Sequence, residues 1–123
     1  MSCVTYIYLS ASFSLRNVVV ENCGKYGIVI ANKTFKNISC INVIVRNCCL
    51  SGIMISDGAH IILSGSRTLI HGNCRSGRTR DYGIRVYDTD SNVEIIFPLT
   101  EMNVSFNNQG ERNWGGYGYD GGR

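Results

Sequence analysis

Asp57, Arg85, Asp88 and Asp90 are the residues whose types and spacing could do chemistry together. Three of them sit in Arg85-Val-Tyr-Asp-Thr-Asp90, and Asp57 lies 88 − 57 = 31 residues before Asp88. Paired carboxylates beside a guanidinium can move protons at a sugar linkage or hold Ca²⁺. Asp also ends strands at turns, so the same residues serve a purely structural reading. Arg67, Arg75, Arg78 and Arg80 make a basic cluster suited to carboxylate or phosphate recognition, or a solvated loop. The cysteines, at 3, 23, 40, 48, 49 and 74, lack the C-x-x-C spacing that zinc usually requires. No metal is expected, and no cofactor beyond calcium under the catalytic reading.

The elements that must position these residues come from a repeat. Asn17-Val-Val-Val-Glu-Asn-Cys23 precedes Gly24-Lys-Tyr-Gly-Ile-Val-Ile30, and Asn42-Val-Ile-Val-Arg-Asn-Cys48 precedes Cys49-Leu-Ser-Gly-Ile-Met-Ile55. Asn17 to Asn42, Cys23 to Cys48 and Gly27 to Gly52 are each 25 residues apart. A third copy, Leu69-Ile-His-Gly-Asn-Cys74 and Tyr82-Gly-Ile-Arg-Val86, carries a polar insertion over 75–81, and Met102 to Asn108 is a decayed fourth. The apolar runs are short, β-branched and alternate at period two, with turn residues between them. Three strands are expected per copy, the third over Phe35 to Ile38, Ile61 to Leu63 and Val93 to Ile95. Three short strands per roughly 25 residues describe a coil that buries its core only by stacking on its neighbours.

The pattern N-x-x-x-x-N-C-x-x-x-G-I-x-I resembles the right-handed parallel β-helix repeats of the pectate-lyase-like superfamily, over residues 4 to about 108. The resemblance implies an all-β, right-handed parallel β-helix of about four coils, in a fold that hosts lyases, hydrolases, tailspikes and inert structural proteins. The polygalacturonase-like signatures N-T-D, D-D, G-H-G and R-I-K are missing, with His71-Gly-Asn73 only a partial echo. On this repeat, Asn22, Asn47 and Asn73 are expected at one turn of successive coils, and Cys23, Cys48 and Cys74 as a reduced, buried column beside it. Such thiols favour a reducing compartment. His71 falls where Val20 and Val45 fall in earlier copies, and reads as a stacked structural residue rather than a base.

Length and composition bound the rest. The 123 residues support one domain, expected over 1–108, with a flexible Gly/Tyr-rich arm over 109–123. Charge is +3, too mild and too scattered for a phosphate-binding face, which argues against nucleic acid. No run of eighteen apolar residues occurs, so no membrane span is expected. The first fifteen residues lack the basic start of a secretory signal and read as a first strand layer. Sequons at Asn32, Asn37 and Asn103 argue only weakly for secretion.

Three features point away from an enzyme. Val19, Ile44 and Ile70 are expected to form one parity of a strand column that is aliphatic on both faces, leaving a stripe outside for a partner or a covering loop. No capping helix is visible at either end. Trp114, Tyr117 and Tyr119 in the tail could dock on a neighbour. The leading expectation is a non-catalytic structural solenoid in an assembly such as a virion, with protein subunits, self included, as partners. A polysaccharide-binding or polysaccharide-cleaving module is the alternative.

Overall fold

The computed structural model describes residues 7–9, 14–31 and 38–119. The chain winds as a right-handed parallel β-helix of about four coils. Each full coil contributes one strand to each of three parallel sheets. The first sheet holds β1 (Ile7–Leu9), β4 (Ile28–Ala31), β7 (Ile53–Ser56), β10 (Ile84–Val86) and β13 (Trp114–Gly115). The second holds β2 (Ser14–Arg16), β5 (Ile38–Ile41), β8 (His60–Ser64) and β11 (Asn92–Ile95). The third holds β3 (Val19–Glu21), β6 (Ile44–Arg46), β9 (Leu69–His71) and β12 (Ser105–Phe106). In the second coil the third-strand run lies later than expected, since β5 begins at Ile38 and residues 32–37 are outside the described set.

Period-two alternation puts like residues on like in the core. Ile28, Ile53 and Ile84 stack in register, as do Ile30, Ile55 and Val86, all essentially without exposure. Opposite them, Ile38 stacks on Ile61 and Cys40 on Leu63. Val20, Val45 and Ile70 close the third side. Ile70 is therefore core, not outer stripe. The outward column is Val19, Ile44 and Leu69, each half-buried. The third copy is offset by one residue from the expected alignment, which flips every side chain to the other face.

The same offset redraws the ladders. Asn22 (φ 58°), Asn47 (φ 58°), Gly72 (φ 68°) and Asn107 (φ 54°) share one left-handed turn position. Backbone bonds from Asn22 to Arg46, Asn47 to His71 and Gly72 to Asn107 run up that column. Asn and Gly are the residues that tolerate this conformation. Asn73 belongs to the next column, with Cys23, Cys48 and Asn108. Its Oδ1 accepts the Cys48 N–H at 3.0 Å, and its Nδ2 donates to the Val45 carbonyl at 3.2 Å and to Asn108 Oδ1 at 3.1 Å. Asn108 Oδ1 also accepts the Asn73 N–H, and Asn108 Nδ2 donates to Asn113 Oδ1 at 3.0 Å. Beside this column lie Gly27, Gly52 and Gly83. A Cβ on Gly52 would meet Asn73 Nδ2 and Ile70 Cγ2, each at 2.7 Å. The glycines of the repeat leave room for the amides.

A helical turn and two aromatic rings pack on the last coil, where no capping helix is expected from the sequence. One helical turn, α1 (Glu101–Val104), begins at Thr100, whose hydroxyl accepts the Asn103 N–H while the Asn103 side chain accepts the Thr100 N–H. It drives Val104 into the core. A single turn carries no periodicity to read. Trp114 continues the Ile28/Ile53/Ile84 column and stacks on Tyr119 at 5.7 Å. Glu101 ties both down, its carbonyl accepting Trp114 Nε1–H at 2.9 Å and its carboxylate the Tyr119 hydroxyl at 3.0 Å. Within the arm expected over 109–123, β13 pairs with β10 and extends the first sheet, and 120–123 are outside the described residues.

Asn73→Leu strands the buried Cys48 N–H and removes the second hydrogen bonds of the Val45 carbonyl and of Asn108 Oδ1. At about 1–3 kcal/mol per orphaned group, it should cost about 3 kcal/mol of unfolding free energy. Asn22→Ala, at an exposed left-handed turn, should cost about 1–2 kcal/mol. Urea titration followed by circular dichroism checks the order; equal losses would mean that the interior amides do not stabilise the stack.

Candidate functional site

The fold divides the four candidate catalytic residues. Asp57 (φ 58°) and Gly58 (φ 73°) make a left-handed turn after β7 whose N–H groups point to the next coil. Asp88 stands above it. Its Oδ2 accepts the Asp57 N–H at 2.8 Å, and its Oδ1 accepts the Ser91 hydroxyl at 2.6 Å. Ser91 Oγ in turn accepts the Gly58 N–H at 3.0 Å. Burial opposes ionisation of the Asp88 carboxyl. The Ser91 hydroxyl and the backbone N–H groups of Asp57, Gly58 and Ser91 outweigh it and hold Asp88 below the usual carboxylate range. Asp57 and Asp88 do fall on successive coils, but the contact is carboxylate to backbone, a turn cap. Asp90 is exposed at the tip of the same turn.

Arg85 faces elsewhere. It sits on the outer face of the first sheet, with Met54 below and Gly115 above. Its guanidinium lies 5.1 Å from the centre of the Tyr87 ring and 4.0 Å from Asp81 Oδ1. Asp81 is the residue that sequence reasoning missed. It has no exposure, yet it lies at the end of a polar insertion where nothing in its spacing marks it. Arg78 reaches back to it, with Nε 2.5 Å from Oδ2 and an outer nitrogen 2.9 Å from Oδ1. The Ser51 hydroxyl adds a bond to Oδ1 at 3.0 Å. The Asp81 hydrogen bonds push the Arg78 guanidinium further up from its already high range, and a bond to the Tyr26 hydroxyl adds to this. Arg112 pins the insertion from the last coil, donating to the Gly77 and Arg78 carbonyls at 3.2 and 2.9 Å. The insertion is thus anchored by one buried acid. Of its arginines, Arg78 turns inward while Arg75 and Arg80 stay exposed, as does Arg67 on another coil.

The anchored insertion and the last turn enclose a cleft of about 380 Å³ lined by Thr79, Arg80, Tyr82, Arg85, Tyr87, Gly116 and Tyr117. The Tyr82 ring lies flat on Gly115, where any Cβ would strike it. Tyr117 is 86 % exposed, unlike Trp114 and Tyr119, so it alone of the three expected tail aromatics is free for a partner.

The cysteines are not a uniform reduced column. Cys23 is in a disulfide whose partner lies outside the described residues. Cys40, Cys48, Cys49 and Cys74 are free thiols. Burial pushes Cys40 up to about 12, and burial with the nearby Asp81 charge does the same to Cys74. These are protonated, apolar packing groups with little nucleophilic character. Cys74 itself lies one place beyond the Asn73 column. His71 sits above Arg46 on the outer face of the third sheet, stacked on Phe106 at 6.4 Å. Burial and the Arg46 charge lower its pKa. Among the described residues, no three His, Cys, Asp or Glu side chains converge on one point.

Comparison with protein families, with characterised proteins and with solved structures finds no match to this chain. Among the described residues no helix is long and apolar enough to cross a membrane.

Two measurements follow from this geometry. Because the Asp88 pKa is lower in the folded state, its contribution is present above the unfolded value near 3.9 and is lost as pH falls through the folded value. Asp88→Asn should therefore flatten the stability curve on the acid side of about pH 4. An unchanged acid slope would show that another group sets it. Arg78→Ala leaves Asp81 buried beside the more distant Arg85. Since Arg78 is itself one-third exposed, the expected loss is about 2–4 kcal/mol, with the double variant Arg78→Ala/Asp81→Ala recovering part of it. Thermal unfolding of the three proteins checks both halves.

Proposed function

We propose that this chain is a non-catalytic interaction β-solenoid, a component of a larger protein assembly such as a virion or surface structure. The observation that carries the reading is a cluster of large apolar side chains on the last coil. Phe97 is 89 % exposed and Met102 86 %, both on the segment joining β11 to β12. Next to them, Pro98 and Leu99 face the outer stripe residues Ile44 and Leu69 across a groove of about 450 Å³. Exposed aromatic and thioether side chains beside an apolar groove are features of contact surfaces.

The acids support the same reading from the other side. Asp88 spends both oxygens on a turn, and Asp81 is consumed by Arg78 and Ser51. Arg85 stands apart from Asp88. The polysaccharide-cleaving alternative calls for Asp57, Arg85, Asp88 and Asp90 around one sugar, with Ca²⁺ as an optional partner. The N-C-x-x-x-G-I-x-I repeat supports kinship with the pectate-lyase-like superfamily in architecture, without its catalytic signatures. The Cys23 disulfide removes the argument for a reducing compartment that a wholly reduced column would give.

Light scattering across a concentration series tests the proposal. The expected result is a mass that rises above 13.6 kDa with concentration, and that returns toward the monomer in Phe97→Ser/Met102→Ser, which removes exposed side chains only. A monomer at every concentration would end the self-assembly form of the proposal.

A further inference from the structure

We infer that the cleft between the 75–81 insertion and the 115–117 turn binds a nucleoside phosphate unit, its phosphate on Arg85 and Arg80 and its base on the tyrosine rings. The guanidinium groups carry the first half of the inference. Asp81 takes its hydrogen bonds from Arg78 and lies at 4.0 Å from Arg85, so one carboxylate faces two guanidinium groups, and exposed Arg80 has no ion pair among the described residues. The Arg85 side chain is only 12 % exposed, yet among the described residues it has no hydrogen-bond partner. It lies over the Tyr87 ring at 5.1 Å, with no hydrogen bond from its donors. A planar guanidinium in that state matches an oxyanion with two accepting oxygens.

The rings carry the second half. Tyr82 packs on Gly115, and Tyr117 is an exposed part of the same lining. Aromatic faces beside guanidinium groups stack bases without demanding a particular one. The described lining includes no carboxylate and no carboxamide. A neutral sugar could use the ring faces and the Thr79 and tyrosine hydroxyls but not the charge of Arg80 and Arg85, whereas a phosphate beside a stacked ring uses both. The volume sits at the small end of ligand cavities, the size of one unit rather than a chain. In sequence the tail over 109–123 brings Arg112 and Arg123 to its tyrosines. The fold adds Arg80 and Arg85 from the preceding coil.

Calorimetric titration of the full chain with uridine 5′-monophosphate, uridine, inorganic phosphate, galacturonate and a short oligouridylate tests this. The monophosphate is expected to bind about tenfold or more tightly than uridine, and more weakly as salt rises. Arg85→Gln and Tyr117→Ala should each weaken it about tenfold. Arg80→Gln should weaken it severalfold and reduce the salt dependence. Tyr117 and Arg80 are exposed, so these two variants read binding without disturbing the fold. Equal affinity for the monophosphate and the oligouridylate points to a free nucleotide; much tighter binding of the oligouridylate points to a strand. Three results would overturn the assignment: no heat with the monophosphate at millimolar concentration, affinity indifferent to both Arg80→Gln and Tyr117→Ala, or galacturonate binding the more tightly.

Discussion

The structure depends on one contact repeated up its axis: a side-chain amide lying on a glycine. Parallel coils must turn between strands, and each turn leaves buried N–H groups that no strand partner satisfies. Asn73 and Asn108 answer them, each spanning two coils. They fit only because Gly52 and Gly83 leave the neighbouring space empty. Cysteine takes the same position at Cys48, where the space is filled by a small apolar group instead. With the corners held, the isoleucine and valine columns follow by register, and the core grows by one layer per coil.

That regularity also dictates where novelty can enter. The strands cannot lengthen without losing register, so additions fall at corners. Residues 75–81 are such an addition, between β9 and β10. An inserted loop on a solenoid is ordinarily free to move. Here a buried carboxylate, Asp81, holds it from within, and Arg112 holds it from above. The cost of burying the Asp81 charge is offset by the Arg78 fork and the Ser51 hydroxyl, and the result is a rigid wall. Rigidity is what lets the exposed face of the loop, with Thr79 and Arg80, act as one side of a cleft.

The same chain packs aromatics on its last coil. A solenoid end presents strand edges and an open core to water. Trp114, Tyr119, Val104 and Leu99 cover the core, and Glu101 fastens the two rings. Phe97, Met102 and Tyr117 remain outside, each more than four-fifths exposed. The groups that pack on the core of this coil are thus distinct from the large apolar groups it leaves in solvent.

The sequence by itself determined the architecture. Period-two aliphatic runs broken every few residues by Asn and Gly, recurring at 25, leave a stacked parallel coil as the arrangement that buries them. It also placed Asp57 below Asp88, because both count from the glycines before their strands. It did not determine the phase of the third copy. Matching Asn73-Cys74 to Asn47-Cys48 by residue type is one position off, because the backbone requires a left-handed residue there and Gly72 supplies it as well as Asn does. Only the tertiary structure decided that Ile70 is core and Leu69 is surface, and that Asp81 is buried. It also decided that Trp114 and Tyr119 are a lid, and that Arg85 meets tyrosines rather than acids. Such facts depend on which coil lies above which insertion, and that proximity is set by stacking between residues some thirty positions apart, where local spacing carries no information.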